Sequence, residues 1–409
     1  MNCLQKFGCR LYQGVMYVAS QVLPWREPEL LEFENGVEGL PAFIKSKGIT
    51  NVLVVTDSML KKLGLIDGMV AQLDEQGIKY SVYSDVVPNP PIENIEAGVE
   101  IFKRDGCEAI IAFGGGSPMD CAKGIGARIA RPNKQIPQMK GVLKVRKKLP
   151  TIFAIPTTAG TGSETTLAAV ISNSKTHEKY AINDHSLIPP YAVLDPKLTV
   201  GLPKHITSTT GIDALTHAVE AYIGKGNVKS TREAAVKAVK LIFANLQKAY
   251  DNGADLEARA NMQKGSYYAG VAFTRAYVGY VHAIAHTLGG FYNVPHGLAN
   301  SVVLPYVLEY YGDSITKQLY ELSLYVGIAD MSKSKEENAK AFIQAVKDME
   351  KAMDIPTTIK GIKEEDIPTM VERAYKEANP LYPVPKFMGK AELADIYHKI
   401  MAKEESNEA

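Results

Sequence analysis

Between about residues 50 and 200 short β-rich runs alternate with helical patterns, and after about residue 205 the strand signal disappears. No other feature restricts the possible folds so strongly. The candidate strands are NVLVVT (51–56), KYSVYS (79–84), EAIIAF (108–113), TIFAI (151–155), AAVIS (168–172) and YAVLD (191–195). The first and third are apolar throughout, as strands covered on both faces must be. Helical segments around 58–76, 92–105 and 117–131 lie between them, which predicts a parallel sheet with helices on both sides. Beyond 205, alanine-rich helical patterns cover 208–223, 229–250, 254–277 and 280–289 and continue to about 403. The expected fold is an α/β, Rossmann-like dinucleotide-binding domain over 29–204 followed by an all-α domain over 205–409. A chain of 409 residues exceeds what one core supports, so two domains are expected on length as well. The terminal KEESNEA is expected to fray.

Residues 1–28 form a separate segment with an apolar face at Leu4, Phe7, Leu11, Val15, Val18 and Val22, a helical spacing. A helix docked on the body or on a second subunit is the expectation. A membrane-surface helix and a secretory signal are the competing readings, and Tyr12, Gln13 and Tyr17 interrupt what a signal's apolar region requires. With 46 basic and 45 acidic residues the chain has no electrostatic reason to bind nucleic acid over a wide face. The basic run KGVLKVRKKLP (140–150) is brief and reads as a solvated loop or strand edge. The four cysteines, Cys3, Cys9, Cys107 and Cys121, form no C-x-x-C pair, so a reducing cytoplasm is the default.

The segment IIAFGGGSPMDCAKGIG (110–126) runs from an apolar strand through three glycines into a helical pattern. Glycines admit an anion close to the backbone, and the helix start near Ser117 and Pro118 turns N–H groups and the positive dipole end toward it. This is a plausible pyrophosphate cradle, although it matches neither G-x-G-x-x-G nor a P-loop. Asp57 follows the strand at 51–56, where a carboxylate can bind ribose hydroxyls and repel a 2′-phosphate, favouring NAD over NADP. Read alone, Asp57 is first of all a cap for the next helix.

GIDALTHAVEAY (211–222) places Asp213 and His217 four residues apart on one helical face. His282 and His286 repeat that spacing in VHAIAHTLGGFYNVPHG (281–297), in a helix that Gly289 and Gly290 are expected to end. Pro295 precedes His296 where another helix can begin. An Asp with several histidines and no thiolate suits a divalent transition ion, iron(II) or zinc, with coordination positions left for substrate. Spacing leaves open which of His282 and His286 is a ligand.

Together, GGGSPMD, PTTAGTGSE (156–164), GIDALTHAVEAY and GYVHAIAHTLGGFYNVPHG resemble the iron-containing (group III) alcohol dehydrogenase family over roughly residues 30–375. The resemblance implies a dehydroquinate synthase-like architecture and a metal held by Asp213, His217, His282 and His296. It places His286 near the nicotinamide and substrate as a proton relay. It assigns Gly115, Gly116, Ser117 and Asp120 of GGGSPMD to the cofactor, with Thr157, Thr158 and Lys179 nearby, Asp57 on the ribose and Asn89 in the cofactor pocket. The implied activity is reversible hydride transfer between a small primary alcohol or aldehyde and NAD(H), with NADP and zinc as alternatives to NAD and iron. A homodimer is the family expectation. The competing functions are a related polyol dehydrogenase or carbocycle-forming synthase on this fold, and a non-catalytic nucleotide-binding protein. Three departures from the family pattern stand out: Arg275 where Asn is usual, which would alter the pocket entrance, NPLYPVPKF (379–387) where the family reads close to N-P-R, and the first 25 or so residues.

Overall fold

The computed structural model describes residues 1–22, 25–174 and 178–402. The KEESNEA tail and the side chain of Val22 lie outside the described residues. The contacts divide the chain into two bodies, one of which comprises Trp25–Leu202 and Ala254–Gly270. The chain opens with α1 (Cys3–Val22), which belongs to the second, helical body.

In the sheet body the order is β1 (Glu29–Leu31), α2 (Leu40–Ser46), β2 (Asn51–Val55), α3 (Ser58–Lys62), α4 (Asp67–Glu75), β3 (Lys79–Tyr83), α5 (Ile92–Arg104), β4 (Ala109–Gly114) and α6 (Gly116–Ala130). Then follow β5 (Gly141–Val142), β6 (Thr151–Pro156), β7 (Ala168–Asn173), β8 (Glu178–Asn183) and β9 (Tyr191–Val193). Six strands form one parallel sheet in the order β1-β9-β6-β4-β2-β3. Its central strands obey the period of two. Val52 and Val54 of β2 and Ala109, Ile111 and Phe113 of β4 pack with Met69 and Leu73 of α4. Leu53, Val55, Ile110 and Ala112 pack instead with Ile95 and Val99 of α5 and Met119 and Ile125 of α6.

Two expectations for this body need correction. The segment AAVIS does form a strand, but outside the parallel sheet: β7 pairs antiparallel with β8 in a separate sheet ordered β5-β8-β7. The helix expected over 58–76 is two helices, broken where Gly64 turns left-handed at φ +70°.

The helical body contains α7 (Lys204–Ile223), α8 (Lys229–Asp251), the end of α9 (Leu256–Ala276), α10 (Tyr280–Tyr292), α11 (His296–Tyr311), α12 (Thr316–Tyr325), α13 (Lys335–Ala352), α14 (Ile367–Ala378) and α15 (Lys390–Ile400). α7 is buried on every side from Gly211 to Ile223, which marks it as the central helix of this body. α10 does not stop at Gly289 and Gly290. It runs on to Tyr292, and Asn293 ends it in the left-handed conformation at φ +53°, one of the few residues besides glycine that tolerates it. α11 begins at His296 directly after Pro295, as the sequence predicts.

α1 reverses the usual amphipathic arrangement. Its docked side carries buried Cys9 and Gln13 with half-buried Arg10. Leu4, Phe7, Leu11, Val15 and Val18, the face expected to dock, are 60–79% exposed. No helix among the described residues is long and apolar enough to cross a membrane.

Candidate metal centre and nucleotide site

α7 projects Asp213 and His217 one turn apart, α10 projects His282, and the first turn of α11 projects His296. One ligand atom from each of these four residues lies within 4.8 Å of all the others. Asp213, His217 and His282 are buried, and His296 is exposed. The Asp213 carboxylate accepts a 2.6 Å bond from Asn300 Nδ2, and its Oδ1 stands 3.6 Å from His296 Nε2 and 3.9 Å from His282 Nε2. Asn300 also lies 3.0 Å from His296 Nε2, one turn away on α11. The His217 ring stacks between Phe273 at 4.0 Å and His282 at 4.4 Å, which fixes its plane.

Whether these residues suit a metal is decided at His282. Its Nδ1 bonds Glu220 Oε2 at 2.7 Å, and the same carboxylate accepts from Gly279 N at 2.8 Å and Val281 N at 2.9 Å. An anchored carboxylate makes Nδ1 the donor, so the lone pair falls on Nε2. That Nε2 is buried with no hydrogen-bond partner, 3.9 Å from Asp213. Burial and the neighbouring histidines hold His282 well below the usual imidazole range, and so keep it neutral. Burial also raises Asp213 above the usual carboxylate range and pushes Glu220 up to about 7. A buried lone pair facing a buried carboxylate is costly without a cation, and a divalent ion resolves both.

His286 is held differently. Its Nδ1 bonds Glu377 Oε1 at 2.6 Å, and its ring lies nearly parallel to His296 at 5.3 Å. It adjoins the four-residue cluster without belonging to it, so the pair left open by spacing is divided in the structure. Burial would raise Glu377, but the His286 contact and the Tyr382 hydroxyl outweigh it and hold the carboxyl below its ordinary range.

In the sheet body Asp57, Gly115, Gly116, Ser117, Asp120, Thr157 and Thr158 follow the carboxyl ends of β2, β4 and β6, whereas Asn89 follows β3 and Lys179 lies on β8. The strand order reverses between β2 and β4, with β3 beyond one and β6 beyond the other. The chain leaving β2 packs α4 on one face and the chain leaving β4 packs α6 on the other, which opens a crevice at the strand ends. Gly114 is required by the fold: its φ is +150°, and a Cβ there would meet Pro118 Cγ at 2.6 Å. Gly115 and Gly116 are not, since added Cβ atoms would meet Thr158 at 3.6 Å and Thr161 at 3.4 Å. Their lack of side chains leaves room over the N-terminus of α6, which no side chain caps. Thr158 Oγ1 beside it is buried with no hydrogen-bond partner, and Thr157 N donates to Gly114 O at 3.1 Å. Ser117 Oγ accepts from Asn89 N at 3.3 Å, and Lys179 Nζ donates to Asn89 Oδ1 at 2.7 Å. Asp57 caps α3 through Leu60 N at 2.9 Å, as the simpler reading held, and a capping carboxylate keeps a second oxygen for a ribose hydroxyl. Asp120 is engaged within the protein, accepting from Ser163 Oγ at 3.0 Å and Val170 N at 3.1 Å.

Glu220, Glu377 and Asn300 are the residues that sequence reasoning missed. Glu220 had a signal: with Asp213 and His217 it makes an i, i+4, i+7 series on one helical face. Glu377 had none, standing 91 residues from His286.

A parallel-sheet crevice over an uncapped helix start and a buried Asp/His cluster are the equipment of a metal-dependent dehydrogenase. The family profile "Iron-containing alcohol dehydrogenase" matches residues 28–196, and its partner, "Fe-containing alcohol dehydrogenase family, C-terminal", matches 207–401. The chain is 39% identical over 369 residues to the 1,3-propanediol dehydrogenase of Citrobacter freundii, covering 89% of this chain and 95% of that protein. The crystal structure of a 1,3-propanediol oxidoreductase superposes with a TM-score of 0.88 at 36% identity, covering 93% of this chain and 100% of the other. The sulfoacetaldehyde reductase of Bifidobacterium kashiwanohense, solved in complex with NAD+, superposes with a TM-score of 0.83 at 28% identity, covering 93% and 98%. The chain belongs to the iron-containing alcohol dehydrogenase family. It is an oxidoreductase acting on CH–OH groups, on the dehydroquinate synthase-like fold.

Proposed function

We propose that this protein interconverts a small primary alcohol and its aldehyde with NAD(H), using iron(II) held by Asp213, His217, His282 and His296. The observation that carries this reading is the unpartnered Nε2 of His282, buried beside Asp213 within a four-residue donor set. A divalent ion there supplies Lewis acidity toward an alcohol or carbonyl oxygen, and the nicotinamide supplies the hydride acceptor. Glu220 holds His282 in one tautomer. His286, held at Nδ1 by Glu377, is the group that takes or returns the hydroxyl proton. Gly115, Gly116 and Ser117 receive the pyrophosphate at the start of α6, with Thr157, Thr158, Asn89 and Lys179 around them. Asp120 supports that cradle by fastening Ser163 and β7 to α6. Asp57 at the end of β2 favours NAD over NADP. The four free cysteines suit a reducing cytoplasm.

The test is metal-stripped protein reconstituted with iron or zinc and assayed for NADH and NADPH turnover over an alcohol and aldehyde series. Turnover with iron and NAD(H) is expected, and no turnover under any combination sinks the reading. Asp57→Gly should narrow the preference for NAD by about tenfold, since it removes the charge that opposes a 2′-phosphate.

We further infer a homodimer that pairs through α1. Leu4, Phe7, Leu11, Gly14 and Val18 follow the alternating spacing of three and four residues that makes a two-helix seam. An added Cβ at Gly14 would meet nothing, so a partner helix can approach closely there. The exposed apolar side chains of two copies supply on the order of 1,000 Å², enough for a modest specific interface. Light scattering should give a dimer for the unaltered chain and a monomer for Leu11→Glu. A monomeric unaltered chain that floats with liposomes would assign the stripe to a membrane surface instead.

A further inference from the structure

The three departures from the family pattern are one physical unit. Arg275 donates to the carbonyl of Ser20 at 2.7 Å, which ties the end of α1 to the end of α9. Arg10 reaches the carbonyl of Pro385 at 3.2 Å and lies 4.1 Å over the ring of Phe387, both in the divergent 379–387 segment. Arg10 also donates to Gln13 Oε1 at 2.8 Å. That bond orients the Gln13 amide, so its Nε2 donates to the carbonyls of Pro380 at 2.9 Å and Tyr382 at 2.7 Å. From Tyr382 the path continues inward. Its hydroxyl donates to Glu377 Oε1 at 2.8 Å, the oxygen that also holds His286 Nδ1 at 2.6 Å.

We propose that α1 is a positioning element for His286: Gln13, aimed by Arg10, fixes the 380–382 turn so that Tyr382 and Glu377 hold the imidazole in one orientation and one tautomer. The role of this helix in the reaction rests on the reading of His286 as the proton relay. Glu377 lies at the last turn of α14 and is partly exposed, so its rotamer is not dictated by packing alone. The buried Tyr382 supplies the constraint, and Tyr382 is placed by a backbone carbonyl that the Gln13 amide reaches from α1. The family's usual N-P-R is replaced here by NPLYPVPKF, which provides the tyrosine, and the extension provides the amide that seats it. Gln13, Tyr382 and Glu377 are positioning residues. None of them belongs to the metal cluster.

Gln13→Glu separates positioning from docking. The carboxylate keeps the partner of Arg10, so α1 stays attached, but it cannot donate to the two carbonyls and repels them. In the zinc-loaded enzyme with 15N-labelled histidine, the His286 Nδ1 proton should exchange faster with water than in the unaltered protein. In the iron-loaded enzyme kcat should fall about tenfold, while KM for NAD and metal content stay put and the unfolding midpoint falls modestly with the two lost bonds. Glu377→Gln should reproduce both changes. An unaltered Nδ1 proton signal in Gln13→Glu overturns the proposal. A faster-exchanging proton in Gln13→Glu, together with full kcat in that variant and in His286→Ala, instead overturns the relay role of His286, while the seating by Gln13 stands.

Discussion

His282→Ala is expected to leave a protein with almost no bound metal and with kcat/KM reduced at least about a thousandfold, the rate equivalent of several kcal/mol of lost Lewis-acid stabilisation. Several observations make this side chain the most sensitive of the four. It is buried, its free nitrogen faces the cluster, and its tautomer is fixed by a carboxylate that takes two backbone N–H groups as well. Removal also leaves Glu220 buried with one bond fewer, so adding metal in excess should not restore the site. Metal content by mass spectrometry and turnover should fall together, and a variant that kept its metal would return the ligand role to His286. Glu220→Gln is the graded companion. A glutamine has one acceptor oxygen, which can serve Gly279 and His282, or Val281, but not all three, and metal affinity should drop about 10- to 100-fold with the ligands intact.

The second large effect concerns stability. Lys123→Met should lower the stability of the sheet body by about 3 kcal/mol, because a fully buried ammonium leaves behind the acceptors that surrounded it. The three N–H groups of Lys123 Nζ are shared among the carbonyls of Ser163 at 2.6 Å, Thr166 at 3.1 Å and Ala168 at 2.9 Å and the hydroxyls of Ser163 and Thr166. Burial pulls its pKa down to about 8, with Asp120 and Glu164 opposing. Methionine fills the same channel and donates nothing. A fall of about 6–12 °C in the thermal midpoint is the corresponding readout. An unchanged midpoint would mean that the desolvation cost of the lysine cancels the bonds its three N–H groups make.

The parallel sheet was readable because its central strands are apolar on both faces, and the runs at 51–56, 79–84, 108–113 and 151–155 fall within a residue of β2, β3, β4 and β6. β8 was not, since EKYAIN shows a half-buried polar pattern whose partner, β7, had been placed in the other sheet. The end of α10 was misjudged because Gly289 and Gly290 look like a stop, whereas a glycine pair inside a helix costs only about 2 kcal/mol and packing overrides it. Pro295 before His296 was read correctly because proline's fixed φ suits a helix start. At the site, residues within one helix were legible from periodicity, as Asp213 and His217 were. The carboxylates behind the histidines are not legible, because a glutamate in an alanine-rich helix reads as a solvated face until burial is known.

α1 carries its polar side inward and its apolar side outward, and the same turn that contains Leu11 contains Gln13. If two copies pair through that outer stripe, the association that steadies the helix also steadies the amide that seats Tyr382. Mass action then enters the turnover number. By reciprocity, whatever free energy dimerisation contributes to the placement of His286 is returned as tighter pairing when His286 is engaged. Specific activity would fall on dilution below the dimer's dissociation constant and recover on concentration, with no change in the metal bound.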